Sequence, residues 1–171
     1  GKAELARRVD VAVRQACPEE VTTGTRIGNR AGREQCEADA RKQIAALLDC
    51  SESEIVFTSG GSEANNLALK GLFSSLSARD NHIITTSVEH PAVVEPCRYL
   101  ERLGAQVTYL PVDGTGRVDP DDLQRAITAR TILISIIHAN NEVGTIQPLD
   151  ACAGIARDHG IAIHSDGAQC V

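Results

Sequence analysis

The sequence predicts an α/β protein with a mostly parallel sheet flanked by helices. Short runs of β-branched and apolar residues alternate with helix-period segments along the chain. Several of those runs are apolar on both faces, the pattern of strands covered by helices above and below. Polar clusters fall just after the runs, where an open α/β sheet binds its ligands.

In order, residues 4–16 have helical character and 18–29 read as a loop. Residues 34–49 form a stronger helix, with Ile44, Leu47 and Leu48 on one face. Ser51-Glu-Ser-Glu54 has the form of a capping box but precedes a strand, so it is read as a turn. Ile55, Val56 and Phe57 are predicted as a buried strand. Gly60 and Gly61 make the turn after it, and Ser62 is placed as N-cap of a helix through Gly71. Strands follow at 83–87, 106–112, 131–138 and 161–165. Helices lie between them. One spans Pro91 to Leu103 and ends at Gly104, one runs from Asp119-Pro120 through Ala129, and one spans Pro148 to His159 and ends at Gly160. Asp113 to Gly116 is a turn.

At 171 residues the chain is one domain or a large piece of one. Aromatic residues make up only 2%, so Val, Ile, Leu and Ala must fill the core. The net charge is −6, and residues 51–171 carry 15 acidic against 8 basic side chains. That balance offers no footprint for a phosphate backbone, so nucleic-acid binding is not expected. No apolar run reaches membrane-spanning length and no signal peptide is seen. The six cysteines (17, 36, 50, 97, 152 and 170) contain no Cys-x-x-Cys pair. That argues against a zinc site and fits reduced thiols in a cytoplasmic compartment. The chain has no methionine and stops at Val171, directly after a motif. Both features suggest a piece of a longer chain or an edited one.

Four polar clusters share the rim at the strand ends: Ser59–Ser62, Glu89-His90, Asn140–Glu142, and Asp166 with Gln169. Each has an ordinary structural reading. The glycine turn could be a plain βα loop, His90 a helix-capping side chain, Asn140 and Asn141 turn residues, and Asp166 an N-cap. Together they describe a site for a flat, phosphorylated, electron-poor ring. The helix opening at Gly61 and Ser62 suits a phosphate. An imidazole can stack on the ring, an amide can reach a ring hydroxyl or a substrate carboxylate, and a carboxylate can keep a ring nitrogen protonated. Pyridoxal 5'-phosphate depends on that last contact.

Four segments carry a specific resemblance. They are Phe57-Thr-Ser-Gly-Gly-Ser-Glu-Ala-Asn-Asn-Leu-Ala, His82-Ile-Ile-Thr-Thr-Ser-Val-Glu-His-Pro-Ala-Val, His138-Ala-Asn-Asn-Glu-Val-Gly and His164-Ser-Asp-Gly-Ala-Gln. In this order they resemble the cysteine desulfurases, in the class V aminotransferase branch of the fold-type I pyridoxal-phosphate enzymes. The resemblance runs from about Arg33 to Val171, and implies the large domain of that fold over residues 33–171. Residues 1–32, a helix and a loop, match poorly. By position the resemblance implies that Gly61 and Ser62 bind the cofactor phosphate, Ser62 standing where the family usually has Thr. His90 would stack on the ring and assist proton transfer. Asn141 would contact the ring hydroxyl and the substrate carboxylate, Asp166 the pyridine nitrogen, and Gln169 the ring hydroxyl. No metal is implied. The implied reaction takes L-cysteine to L-alanine and leaves sulfur on an enzyme cysteine as a persulfide. A homodimer is implied, with a sulfur acceptor or iron–sulfur scaffold protein as a further partner.

The family's cofactor-linking lysine belongs to a Ser-x-His-Lys motif beyond Val171, and Lys2, Lys42 and Lys70 match no such motif. The family's nucleophilic cysteine lies further on. The expectation is therefore a cofactor cradle that does not turn over by itself. The alternatives are a selenocysteine lyase or related enzyme of the same branch, and a non-catalytic interaction module. A nucleotide-binding domain is disfavoured, because the turn lacks Gly-x-Gly-x-x-Gly and a Walker lysine.

Overall fold

A buried parallel strand needs apolar side chains on both faces, and Ile83-Ile84 and Leu133-Ile134 supply them in adjacent pairs. In the computed structural model, which describes residues 9–11, 30–77 and 80–170, these pairs lie at the centre of a parallel sheet. Its strands are β1 (Val9–Val11), β2 (His82–Thr86), β3 (Gln106–Leu110), β4 (Thr131–Ser135) and β5 (Ala162–Asp166). The order is β1-β5-β4-β2-β3, and every pairing is parallel. The helices are α1 (Arg30–Leu48), α2 (Gly61–Leu76), α3 (Pro91–Arg102), α4 (Pro120–Ala126) and α5 (Leu149–His159). The described residues divide into two compact units, one of residues 59–170 with Val9–Val11 and one of residues 30–58.

Alternation along each strand sorts the core of the larger unit. Ile83 and Leu133 pack with Leu69 and Phe73 of α2 and with Val93, Cys97 and Leu100 of α3. Ile84 and Ile134 point the other way, to Leu123 of α4 and to Cys152 and Ala156 of α5. The chain leaves β2 toward β3 through α3, and leaves β4 toward β5 through α5 on the opposite face. Because parallel crossovers keep one hand, the winding reverses between β2 and β4. The carboxyl ends of those two strands are the topological switch point of the sheet.

Local chemistry fixes the helix ends. His90 caps α3 by accepting the Ala92 N–H at 3.0 Å, with Pro91 opening the helix. Asp119 caps α4 in the same way through Asp121 N–H at 2.9 Å. Gly160 closes α5 in the left-handed region at φ 65°, and Ile161 N–H returns to the Ala156 carbonyl at 2.9 Å. At the sheet end away from the switch point, the buried His82 ring joins three strands. Its Nδ1 meets Thr131 Oγ1 at 2.8 Å and its Nε2 meets Thr108 Oγ1 at 2.9 Å.

Several boundaries differ from the sequence expectations. Ile55–Phe57 is extended but joins no strand, and Val56 is 64% exposed. The Ile55 carbonyl, which a ladder would use, accepts from the Arg41 guanidinium, and that group lies 4.8 Å from the Phe57 ring centre. Ser51–Glu54 is more than a turn: a 3-10 helix, Glu52–Glu54, carries a complete capping box. On α1, Ala45 is buried while Leu47 is 66% exposed, so the expected face of Ile44, Leu47 and Leu48 does not hold. Helix α4 stops at Ala126 instead of Ala129. Thr131 Oγ1 takes the Thr128 N–H at 2.8 Å, which competes with helical bonding. The last two residues of the strand expected at 106–112 leave the ladder, and Val112 instead bridges Val118 across the turn at Asp113–Gly116. Of the helix and loop expected over residues 4–29, only Val9–Val11 lies within the described residues, and it is a strand paired to β5.

Candidate cofactor site

At the switch point lies a cavity of about 240 Å³. Its wall comes from the start of α2 (Gly61, Ser62, Asn65), the start of α3 (His90, Ala92), the segment after β4 (Ile137, Ala139, Asn141) and the end of β5 (Asp166, Ala168, Gln169). All six residues singled out from the sequence, Gly61, Ser62, His90, Asn141, Asp166 and Gln169, are on this one wall.

One part of the wall is the first turn of α2. A helix opening presents N–H groups with no carbonyl four residues back, and carries the positive end of the helix dipole. The N-cap is Gly60 and not Ser62, which sits one residue inside the helix. The turn is held from the other direction: Glu63 accepts the Ser59 N–H and the Ser59 hydroxyl, both at 2.6 Å. Those bonds hold the Glu63 carboxyl below its ordinary value. Neither glycine has a left-handed backbone, so the conformational freedom of glycine is not what this turn requires. A Cβ at Gly60 or Gly61 would meet nothing within 4 Å. The absent side chain leaves room for a group on the cavity side, which suits close approach of a phosphate to the main chain.

Asp166 lines the same cavity and is 8% exposed. Its Oδ2 accepts from Asn65 Nδ2 at 2.8 Å and its Oδ1 from Ala168 N–H at 3.1 Å. Two donors therefore orient a buried carboxylate and leave it lone pairs for a third. Asn65, 2% exposed, has no assigned role in the sequence analysis. Its signal is a polar residue on the apolar stripe of α2, between Ala64 and the pair Ala68-Leu69.

His90 combines the capping role with a place on the cavity wall. Because Nδ1 accepts from Ala92, the neutral ring carries its proton on Nε2. Of the two asparagines after β4, Asn140 makes the turn. Its Oδ1 accepts from Glu142 and Val143 N–H at 2.9 Å each, and its Nδ2 donates to the Val88 carbonyl at 2.9 Å. That frees Asn141 to face the cavity. Glu89, also without an assigned role from sequence, lies buried under the turn before His90.

Geometry alone defines an α/β protein with a cavity at its switch point, bounded by the opening of a helix and by a buried carboxylate held by two donors. The chain belongs to the class V aminotransferase family, whose pattern matches residues 21–171. That family depends on pyridoxal phosphate. The chain is 53% identical over 142 residues to the cysteine desulfurase IscS of Dictyoglomus turgidum, covering 82% of this chain and 36% of that protein. A solved NifS-like protein superposes with a TM-score of 0.79 at 38% identity, over 84% of this chain and 40% of the other. A structure described as SspA in complex with cysteine gives 0.75 at 37% identity, over 86% and 43%. The chain thus spans well under half the length of the relatives it matches. The sheet and its helices are those of the large domain of the fold-type I pyridoxal-phosphate enzymes. Among the described residues, no helix is long and apolar enough to cross a membrane.

Proposed function

We propose that in the full-length protein this cavity holds pyridoxal 5'-phosphate, and that the protein is a cysteine desulfurase. It would convert L-cysteine to L-alanine and pass the sulfur to an enzyme cysteine as a persulfide. The observation that carries the reading is Asp166, a buried carboxylate oriented by Asn65 and Ala168 that shares one cavity wall with the first turn of α2. Such a pair suits a ligand with a phosphate at one end and a basic ring nitrogen at the other.

When bound, the cofactor supplies an electron sink for the α-carbon of the amino acid. The chain's own residues supply the rest. Gly61 and Ser62 would bind the phosphate through the first-turn N–H groups and the Ser62 hydroxyl. Asp166 would keep the ring nitrogen protonated. His90 would stack on the ring and exchange protons at Nε2, since Nδ1 is committed to Ala92. Asn141 would orient the ring hydroxyl and the substrate carboxylate, and Gln169 the ring hydroxyl. Support for L-cysteine as substrate comes from the cysteine desulfurase relatives and from the neighbour solved with cysteine. By the same likeness the protein would work as a cytoplasmic homodimer. It would hand sulfur to an acceptor or iron–sulfur scaffold protein, with residues 33–171 as the cofactor-binding portion.

The test is turnover of L-cysteine by the full-length protein with pyridoxal phosphate. Alanine and reductant-released sulfide should appear in equal amounts, and a lack of either product would refute the assignment. Gly61→Val is a useful companion. A Cβ there meets nothing within 4 Å, so the fold should persist, and because Gly61 lines the cavity the added bulk should compete with a phosphate at the first turn of α2. Affinity for pyridoxal phosphate should fall about tenfold or more, measured by absorbance titration.

A further inference from the structure

Glu89, which precedes His90 in the turn after β2 and bonds to Ile137, takes no part in the scheme above. Its Oε1 accepts two hydrogen bonds, from Thr86 Oγ1 at 2.7 Å and from Ile137 N–H at 2.9 Å. Its Oε2 is buried and has no hydrogen-bond partner. An ionised carboxylate spreads its charge over two equivalent oxygens, and a bare buried one is costly. A carboxylic acid fits the arrangement better. In that form one oxygen accepts the bonds from Thr86 and Ile137 and the other carries the proton; the resulting hydroxyl has no acceptor, which costs less than a buried charge without a partner. Burial pushes the Glu89 carboxyl up to about 7, opposed by its bonds to Ile137 and Thr86 and reinforced by the charge of Asp166. The titratable groups that interact with it are Asp166 on β5 and Cys97 on α3, and His90 is next in the chain.

The two donors to Glu89 are informative. Ile137 forms part of the cavity wall, and Thr86 ends β2. His90, which follows Glu89 directly, forms another part of it. The Asn140 bond to the Val88 carbonyl ties the same turn to the Asn141 segment.

We propose that Glu89 is a positioning residue that works as an uncharged carboxylic acid. It pins the turn bearing His90 to Ile137, and while protonated it adds no second negative charge beside Asp166. The inference rests on the reading of the cavity as a pyridoxal-phosphate site. Its protonation half can be tested without any cofactor.

The experiment compares full-length wild type, Glu89→Gln and Glu89→Ala. Gln keeps a carbonyl acceptor and a donor without charge. Infrared spectra should show a protonated-carboxyl band in wild type at pH 6 that fades as pH rises through about 7 and is missing in Glu89→Gln. In wild type the folded pKa lies above the unfolded one. Its stabilising contribution is therefore present at low pH and lost as pH rises through about 7. The stability of wild type relative to Glu89→Gln should fall over that range. Affinity for pyridoxal phosphate should stay within about threefold of wild type in Glu89→Gln and drop about tenfold or more in Glu89→Ala. The idea is overturned if no such band is found, if the band survives in Glu89→Gln, or if Gln binds as poorly as Ala. Should Glu89→Ala fail to fold, the wild-type and Gln comparison still decides. If wild type itself binds no pyridoxal phosphate, the cavity reading fails while the infrared result stands apart.

Discussion

Replacing Asp166 by Asn in the full-length protein should lower the rate of sulfur release from L-cysteine by about 10²-fold or more. Two effects add. The variant removes the only charge proposed to hold a ring nitrogen in its protonated, electron-withdrawing form. It also disturbs the support of that group. Both carboxylate oxygens accept hydrogen bonds, from Asn65 Nδ2 and from Ala168 N–H. An amide has one acceptor oxygen, so its NH₂ must face one of those donors. The ring of the bound cofactor should then titrate differently, and its visible absorbance should shift along with the loss of kcat. Unchanged turnover and an unchanged spectrum would remove Asp166 from the site.

The second large effect concerns His164, which has no exposed surface and lies two residues before Asp166 on the same strand face. Its Nδ1 pairs with Ser135 Oγ at 2.9 Å and its Nε2 has no partner. Burial pulls its pKa down from 6.5 to about 4, against the pull of Asp166. Above pH 6.5 the ring is neutral in both folded and unfolded chains and costs nothing. As pH falls from 6.5 to about 4, the unfolded chain takes up a proton that the folded one refuses, and stability is lost. At about 1.4 kcal/mol per pK unit, the loss reaches about 3 kcal/mol. The pH profile of wild type alone mixes this with Glu89, which runs the other way between the two pKa values. Comparison with His164→Asn, which keeps an amide toward Ser135 but cannot ionise, isolates it. Denaturant unfolding should show wild type losing about 3 kcal/mol relative to the variant between pH 7 and pH 4. A constant gap would mean that His164 does not stay neutral in the fold.

The sheet was legible because strand signals are local. Ile83-Ile84 and Leu133-Ile134 are apolar on both faces whatever their neighbours. Features that depend on a partner were not. Ile55–Phe57 has β-favouring residues, but a strand exists only where another strand takes its hydrogen bonds, and Arg41 takes the Ile55 carbonyl instead. The segment expected as strand to His138 leaves the two-sided ladder after Ser135 for a similar reason. Ile136 and His138 still bond to β5, but the Ile137 N–H goes to the Glu89 carboxyl. The N-cap of α2 was misplaced because the sequence cue is an oxygen side chain before the helix, whereas here Glu63 reaches back to Ser59.

The site divides along the same line. His90, Asn141, Asp166 and Gln169 lie at or just after the ends of strands, and Gly61 and Ser62 open a helix after an extended segment, so their position in the sequence already suggested one rim. Asn65 and Glu89 act through tertiary contacts across many residues, Asn65 to Asp166 and Glu89 to Ile137. In the sequence each is a polar residue beside a recognised motif. Only the fold reveals that one orients the carboxylate and the other pins the wall.

The most direct test of the account is a crystal structure of the full-length protein with pyridoxal phosphate. The phosphate is expected on the first-turn N–H groups at Gly61 and Ser62, with the ring nitrogen within hydrogen-bonding distance of Asp166, still held by Asn65. A cofactor bound with its phosphate away from α2, or with its ring nitrogen away from Asp166, would contradict the reading of the cavity.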